Sequence, residues 1–264
     1  MQTAHFPLYE KGNIACKENG ALTTFTLPMF REAESVNLTH NIKLATINMN
    51  ALEKLPNGIH LDGGFEVVQA LTTFDLPALK TCGRFTIINC PGITNLDGFA
   101  NLESVDGDLT ISNANIPGAS IRLQTINGFN KLTIVKYSLG LETAAGSGDG
   151  LVGFDGPLNS IKGFKNLKTV GAMFTIGGKN LADISGFSNL ESVGMDLRII
   201  TTGLTGLTGL ARLTSSGLNE NRAINITDNT KLTTLKGLAA ITNVVSIFIA
   251  RNPALLDVDG LEKW

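Results

Sequence analysis

The chain has 264 residues, 43% of them hydrophobic, and a formal net charge of -2. That is enough apolar material for a sizeable core, and it leaves no basic field to hold nucleic acid or an anionic membrane surface. No run of about 18 apolar residues occurs, so no transmembrane helix is expected.

The first stretch, MQTAHFPLYEKGNIACKENG, has no apolar core of a signal peptide. Any export signal is expected to lie outside this sequence. Residues 1–20 are read as an N-terminal cap and 21–264 as repeats, all within one domain. A loose copy of the repeat comes first. Leu27, Phe30, Ala33, Val36 and Leu38 match Leu76, Leu79, Cys82, Phe85 and Ile87 at a constant offset of 49. A middle turn holds Leu52, Leu55, Ile59 and Leu61.

From residue 98 the repeat is explicit. Gly-Phe or Gly-Leu begins at Gly98, Gly128, Gly163, Gly186, Gly209, Gly237 and Gly260, at intervals of 30, 35, 23, 23, 28 and 23. A period near 23 with insertions accounts for them. Four residues after each glycine stand Leu102, Leu132, Leu167, Leu190, Leu213, Ile241 and Trp264. Three further on come Val105, Val135, Val170, Val193 and Val244, with Ser216 the one lapse. An apolar-x-apolar phrase follows: LTI at 109–111, LGL at 139–141, FTI at 174–176, LRI at 197–199, INI at 224–226 and IFI at 247–249. A Gly-rich insertion occupies about 142–157.

Each phrase is too short to stand alone as a strand. Stacked on its neighbours it pairs on both edges of a parallel ladder, with its outer two residues inward and its middle one outward. Corner glycines such as Gly107, Gly171 and Gly194 sit where a side chain would clash. The fold class that follows is mainly β: a right-handed parallel β-helix, a leucine-rich-repeat-like solenoid of about nine coils with short helical or 3-10 turns.

The stretches LESVDGDLTISNANI, LKTVGAMFTIGGKNL and LTTLKGLAAITNVVSIFIARNPALLDVDGL resemble the receptor L domain, the leucine-rich β-helix of growth-factor-receptor ectodomains and of bacterial and fungal cell-surface proteins. The resemblance covers residues 70–264 and, loosely, 21–69. It implies an architecture and a cell-surface or extracellular setting. The cysteine-rich modules and dense disulfides of the receptors are missing, so a bacterial surface protein is the nearer likeness and hormone binding is not carried over.

The polar residues are read by column. Cys82 falls among core positions. Cys90, three after Ile87, matches Asn41, Asn229 and Asn252, where an amide can bond turn backbone inside the stack. Cys16 has no assigned role. Asp97, Asp183 and Asp257 are expected to cap turns. No metal or cofactor is expected: His5, His40 and His60 lack ligand spacing. GSGDG at 146–150 lacks the ending of a phosphate loop, and Asp149 and Asp155 lack a calcium-loop arrangement.

The outward middle residues are Asn37, His60, Thr86, Thr110, Gly140, Thr175, Arg198, Asn225 and Phe248. No carboxylate pair of the kind glycoside hydrolysis requires stands among them, nor do regular Thr-x-Thr rungs of an ice-binding face. A non-catalytic protein is therefore expected, binding a protein or glycan or serving as a scaffold at a cell surface, with Arg198, Asn225 and Phe248 as candidate ligand-binding residues. The alternative is a carbohydrate-active β-helix enzyme, a lyase or hydrolase. Trp264 is expected to lie over the last coil, whose edge is also a candidate for self-association.

Overall fold

The computed structural model describes residues 3–5, 12–63, 68–112, 122–142, 156–216 and 223–263. Trp264 and most of the Gly-rich insertion lie outside the described residues. Parallel strands stack into a β-solenoid with no α-helix among the described residues and four one-turn 3-10 segments, at Asp97–Phe99, Ser185–Phe187, Thr208–Leu210 and Lys236–Leu238.

The apolar-x-apolar phrases form one parallel sheet. Among the described residues it holds ten strands: Asn13–Ala15, Ser35–Asn37, Gly58–Asp62, Phe85–Ile88, Leu109–Ser112, Leu139–Glu142, Phe174–Gly178, Leu197–Thr202, Ala223–Thr227 and Ser246–Ala250. Asn13–Ala15 lies inside the segment read as a cap. It pairs in register with Ser35–Asn37. A seven-stranded sheet of two-residue strands runs along the preceding corner, from Lys54–Leu55 to Ser215–Ser216. A third face carries Thr3–His5, Thr24–Thr26 and Thr46–Asn48 in parallel.

Inside, each coil contributes the same side chains. The Gly-Phe dipeptides deliver Phe99, Phe129, Phe164 and Phe187 into one buried file, continued by Leu210 and Leu238. Successive rings stack at 5.2, 4.9 and 5.2 Å between centroids, close to the roughly 4.8 Å spacing of paired strands. The glycine before each ring is required by that spacing. A Cβ on Gly186 would stand 1.9 Å from the Gly163 carbonyl oxygen one coil below, and one on Gly163 2.0 Å from that of Gly128. Close approach, rather than a left-handed backbone, fixes glycine there. The Ser216 lapse is also settled internally. Its buried hydroxyl donates to the Met195 carbonyl at 3.2 Å.

The asparagine column behaves as a buried amide ladder. Asn229 is fully buried and accepts at Oδ1 from the Thr202 N–H (2.9 Å) and hydroxyl (2.7 Å). Its Nδ2 donates to the carbonyls of Ile199 (2.9 Å) and Thr227 (3.0 Å). The bond to the carbonyl two residues back closes a turn whose middle residue is left-handed. Glu18, His40, Asn89, Thr201, Asp228 and Arg251 all have φ between 52 and 62°. Cys90 does the same work, its Sγ donating to the Ile88 carbonyl at 3.3 Å.

Turn capping differs in part from expectation. Asp183 Oδ1 accepts from the Ser185 N–H and Asp257 Oδ1 from the Asp259 N–H. Asp97 is not the acceptor in its coil: Asn95 is, taking the Asp97 N–H at 3.4 Å. The cap stands three residues before the glycine, and Asp97 stands one before it.

Candidate functional site

Three consecutive rungs bring the candidate residues together. Arg198 pairs with Asn225 and Asn225 with Phe248, each in direct register. Adjacent strands therefore carry a cation, an amide and an aromatic ring in one outward row. The same column runs back through Thr175, Gly140, Thr110, Thr86 and His60 to Asn37. Thr86 and Thr175 are buried despite facing outward. They are short and lie beside the longer His60 and Arg198.

Arg198 is not a bare cation. Its guanidinium donates to Asp196 Oδ2 at 3.0 Å, and that carboxylate side chain is only 11% exposed. The pair holds the arginine along the sheet surface, leaving about a third of its side chain accessible. The same balancing recurs nearby. Arg84 meets Asp108 at 3.1 Å, and Arg251 grips Asp228 with two bonds of 2.6 and 2.8 Å. The Arg251 guanidinium holds the Asp228 carboxyl below its usual value. Ion pairs thus leave the face polar but electrically balanced.

Asn225 and Phe248 differ in what they expose. The Asn225 Oδ1 is buried and has no hydrogen-bond partner among the described residues, an unusual state for a buried acceptor. Phe248 is 52% exposed, in line beside it. The row offers a braced guanidinium, a half-buried amide and a flat apolar ring.

A separate recess of about 160 Å³ lies at the seven-stranded corner, lined by Glu32, Glu34, Lys54, Thr81, Cys82 and Asp106 among others. Its carboxylates are engaged. Glu32 pairs with Lys54 at 3.3 Å, Asp106 with Lys136 at 2.9 Å, and Glu34 accepts from Asn57. Cys82 is buried and its thiol is pushed up to about 12 by desolvation. Burial raises Cys90 and Cys16 as well. These thiols stay protonated at neutral pH and are poor nucleophiles there. Among the described residues no cluster of His, Cys, Asp and Glu is arranged to hold a metal ion, and no helix is long and apolar enough to cross a membrane.

Two features of the surface were not read from the sequence. Asp196, the partner of Arg198, precedes the rung and carried no signal of its own. A second asparagine file follows the Gly-Phe corners: Asn101, Asn166 and Asn189 each donate to a carbonyl one coil below, at 2.8, 2.7 and 2.7 Å. Its signal was available, since each stands three residues after the corner glycine.

The architecture defines the chain as a leucine-rich β-solenoid. No family model and no curated relative matches it. Among solved structures it is similar to a leucine-rich repeat protein from Bacteroides ovatus ATCC 8483, at 14% identity over 88% of this chain and 76% of that one, with a TM-score of 0.22.

Proposed function

We propose that the protein is a non-catalytic binding or scaffold protein, working at a cell surface or outside the cell, and that it holds a neutral glycan on the outward row Arg198, Asn225 and Phe248. One observation carries this reading: the half-buried Asn225 amide stands in register beside the exposed Phe248 ring and the braced Arg198 guanidinium on three adjacent strands. A sugar presents hydroxyls to the amide and guanidinium and a C–H face to the ring. The ion-paired surroundings suit an uncharged polar ligand better than an anion, because Arg198 already has its counter-charge. Extended solenoid faces commonly bind other macromolecules, and the likeness to the receptor L domain of surface proteins points the same way. A protein ligand is the second occupant this row could take.

The alternative is a carbohydrate-active enzyme. It draws on the acidic recess at Glu32, Glu34 and Asp106. The test is a panel of neutral and acidic polysaccharides and surface proteins, scored for both retention and release of cleaved product. The reading expects retention of a neutral glycan without product, weakened by Phe248→Ala. Product release that survives Phe248→Ala and is lost in Glu32→Gln would favour the enzyme.

A further inference from the structure

A cleft opens between two coils in the middle of the stack. It measures about 520 Å³ and is lined by Thr94, Arg122, Gln124, Thr125 and Pro157, a volume suited to a small molecule. It lies beside Thr125–Ile126, which pairs in parallel with Ser160–Ile161 as a two-stranded sheet. That sheet is separate from the ten-stranded one that carries Arg198.

The cleft exists because two coils part there. Elsewhere on this side a backbone N–H donates to the carbonyl one coil earlier: Thr94 to Thr72, Asn159 to Gln124 and Ala182 to Asn159, each at 2.9 Å. The Gln124 N–H holds the equivalent position and finds no carbonyl among the described residues. The coils meet on either side of the gap. The Arg122 N–H bonds the Pro91 carbonyl at 2.9 Å, and a Cβ on Gly128 would stand 2.1 Å from the Leu96 oxygen.

The walls are fixed by other bonds. The Thr94 N–H and hydroxyl both donate to the Thr72 carbonyl. The Gln124 carbonyl accepts from the Asn159 N–H. Thr125 Oγ1 accepts from Asn127 Nδ2 at 3.1 Å, which leaves its own proton to donate.

Charge in the cleft is unbalanced. Arg31, Arg84, Arg198 and Arg251 each meet a carboxylate, and Arg212 donates to Asn189 Oδ1 at 2.9 Å. The exposed Arg122 guanidinium has no partner among the described residues. No carboxylate stands among the lining residues, in contrast to the recess at Glu32, Glu34 and Asp106.

We infer that this cleft binds a hexuronic acid. The Arg122 fork takes the carboxylate in two parallel bonds, a geometry that guanidinium and carboxylate share. Gln124, Thr94 and Thr125 take the ring hydroxyls. One cation faces one anion, which favours a singly charged carboxylate over a doubly charged phosphate ester. Pro157 is the one apolar side chain in the lining, so a polyhydroxylated ring fits it better than an acidic peptide does. The site stands on its own residues and does not depend on what the row at Arg198 holds.

The test is a heteronuclear NMR titration with sodium glucuronate. Methyl glucoside, sodium acetate, and sodium chloride at matched ionic strength are the comparators. Saturable shifts are expected at the Arg122 side chain and at the Gln124 and Thr125 amides. Arg122→Gln breaks no bond of the fold. It should leave the rest of the spectrum unchanged and weaken glucuronate binding at least about tenfold, as expected for losing bonds to a charged group. Phe248→Ala should leave this binding intact. The inference would be overturned by shifts no larger than sodium chloride gives, by equal saturation with methyl glucoside or acetate, or by glucuronate binding that survives Arg122→Gln.

Discussion

Truncating Asn229 to alanine measures what the inner ladder contributes. The side chain makes two accepted bonds from Thr202 and two donated bonds to the Ile199 and Thr227 carbonyls, all with no access to water. A net hydrogen bond is worth about 0.5–1.5 kcal/mol, and a buried group left without a partner costs about 1–3 kcal/mol. Four broken bonds, partly relieved by relaxation, place Asn229→Ala about 3–6 kcal/mol below wild type. Asn41→Ala is the control. Its joint with Asn19 uses comparable distances, but Asn19 is exposed. Water can replace what is lost there, so the cost is about 1–2 kcal/mol. Urea unfolding followed by circular dichroism gives the totals. Amide exchange at Thr202 gives the local effect, which matters because a solenoid's stability is distributed along its coils. Asn229→Ala within 1 kcal/mol of wild type, or equal to Asn41→Ala, would refute the claim that the ladder satisfies buried backbone.

Three further outcomes are expected. Gly186→Ala drives a Cβ to within 1.9 Å of the Gly163 oxygen and should cost about 2–3 kcal/mol as overpacking, whereas Gly20→Ala meets nothing within 4 Å and should be near neutral; thermal melts of the two separate the cases. Val193→Asp, a buried unpaired carboxyl in the corner sheet, should cost at least about 4 kcal/mol, and Arg198→Ala about 1 kcal/mol or less; equal melting shifts would contradict the inward and outward assignment. Cys82 should contribute stability in full below its ordinary value of 9.0 and lose it as pH rises toward about 12, because the unfolded thiol ionises first. Below that window iodoacetamide should label Cys16 first, and Cys82 and Cys90 only after denaturation, as read by mass spectrometry.

Much of this architecture was legible because a solenoid writes its core into the chain at a fixed interval. The rungs from Val36 to Ile249 and the corner valines fall where alternation and spacing place them. The first rung was not legible, since Asn13-Ile14-Ala15 has one large apolar residue and no Gly-Phe or Gly-Leu dipeptide before it. Asp97 misled because an acid beside a glycine looks like a cap, whereas the turn is closed by a residue three before it. The adjacency of Arg198, Asn225 and Phe248 followed from register alone. The brace from Asp196 and the missing partner of Asn225 Oδ1 did not, because they depend on side-chain directions that no periodicity encodes.

Titration calorimetry with the tightest-retained neutral oligosaccharide tests the central claim most directly, comparing wild type with Asn225→Ala/Phe248→Ala at matched folded fraction. Loss of a well-placed amide bond and a stacking ring should weaken binding by about 1–3 kcal/mol, roughly five- to 150-fold. Binding unchanged in the double variant would place the ligand elsewhere on the solenoid and contradict the account.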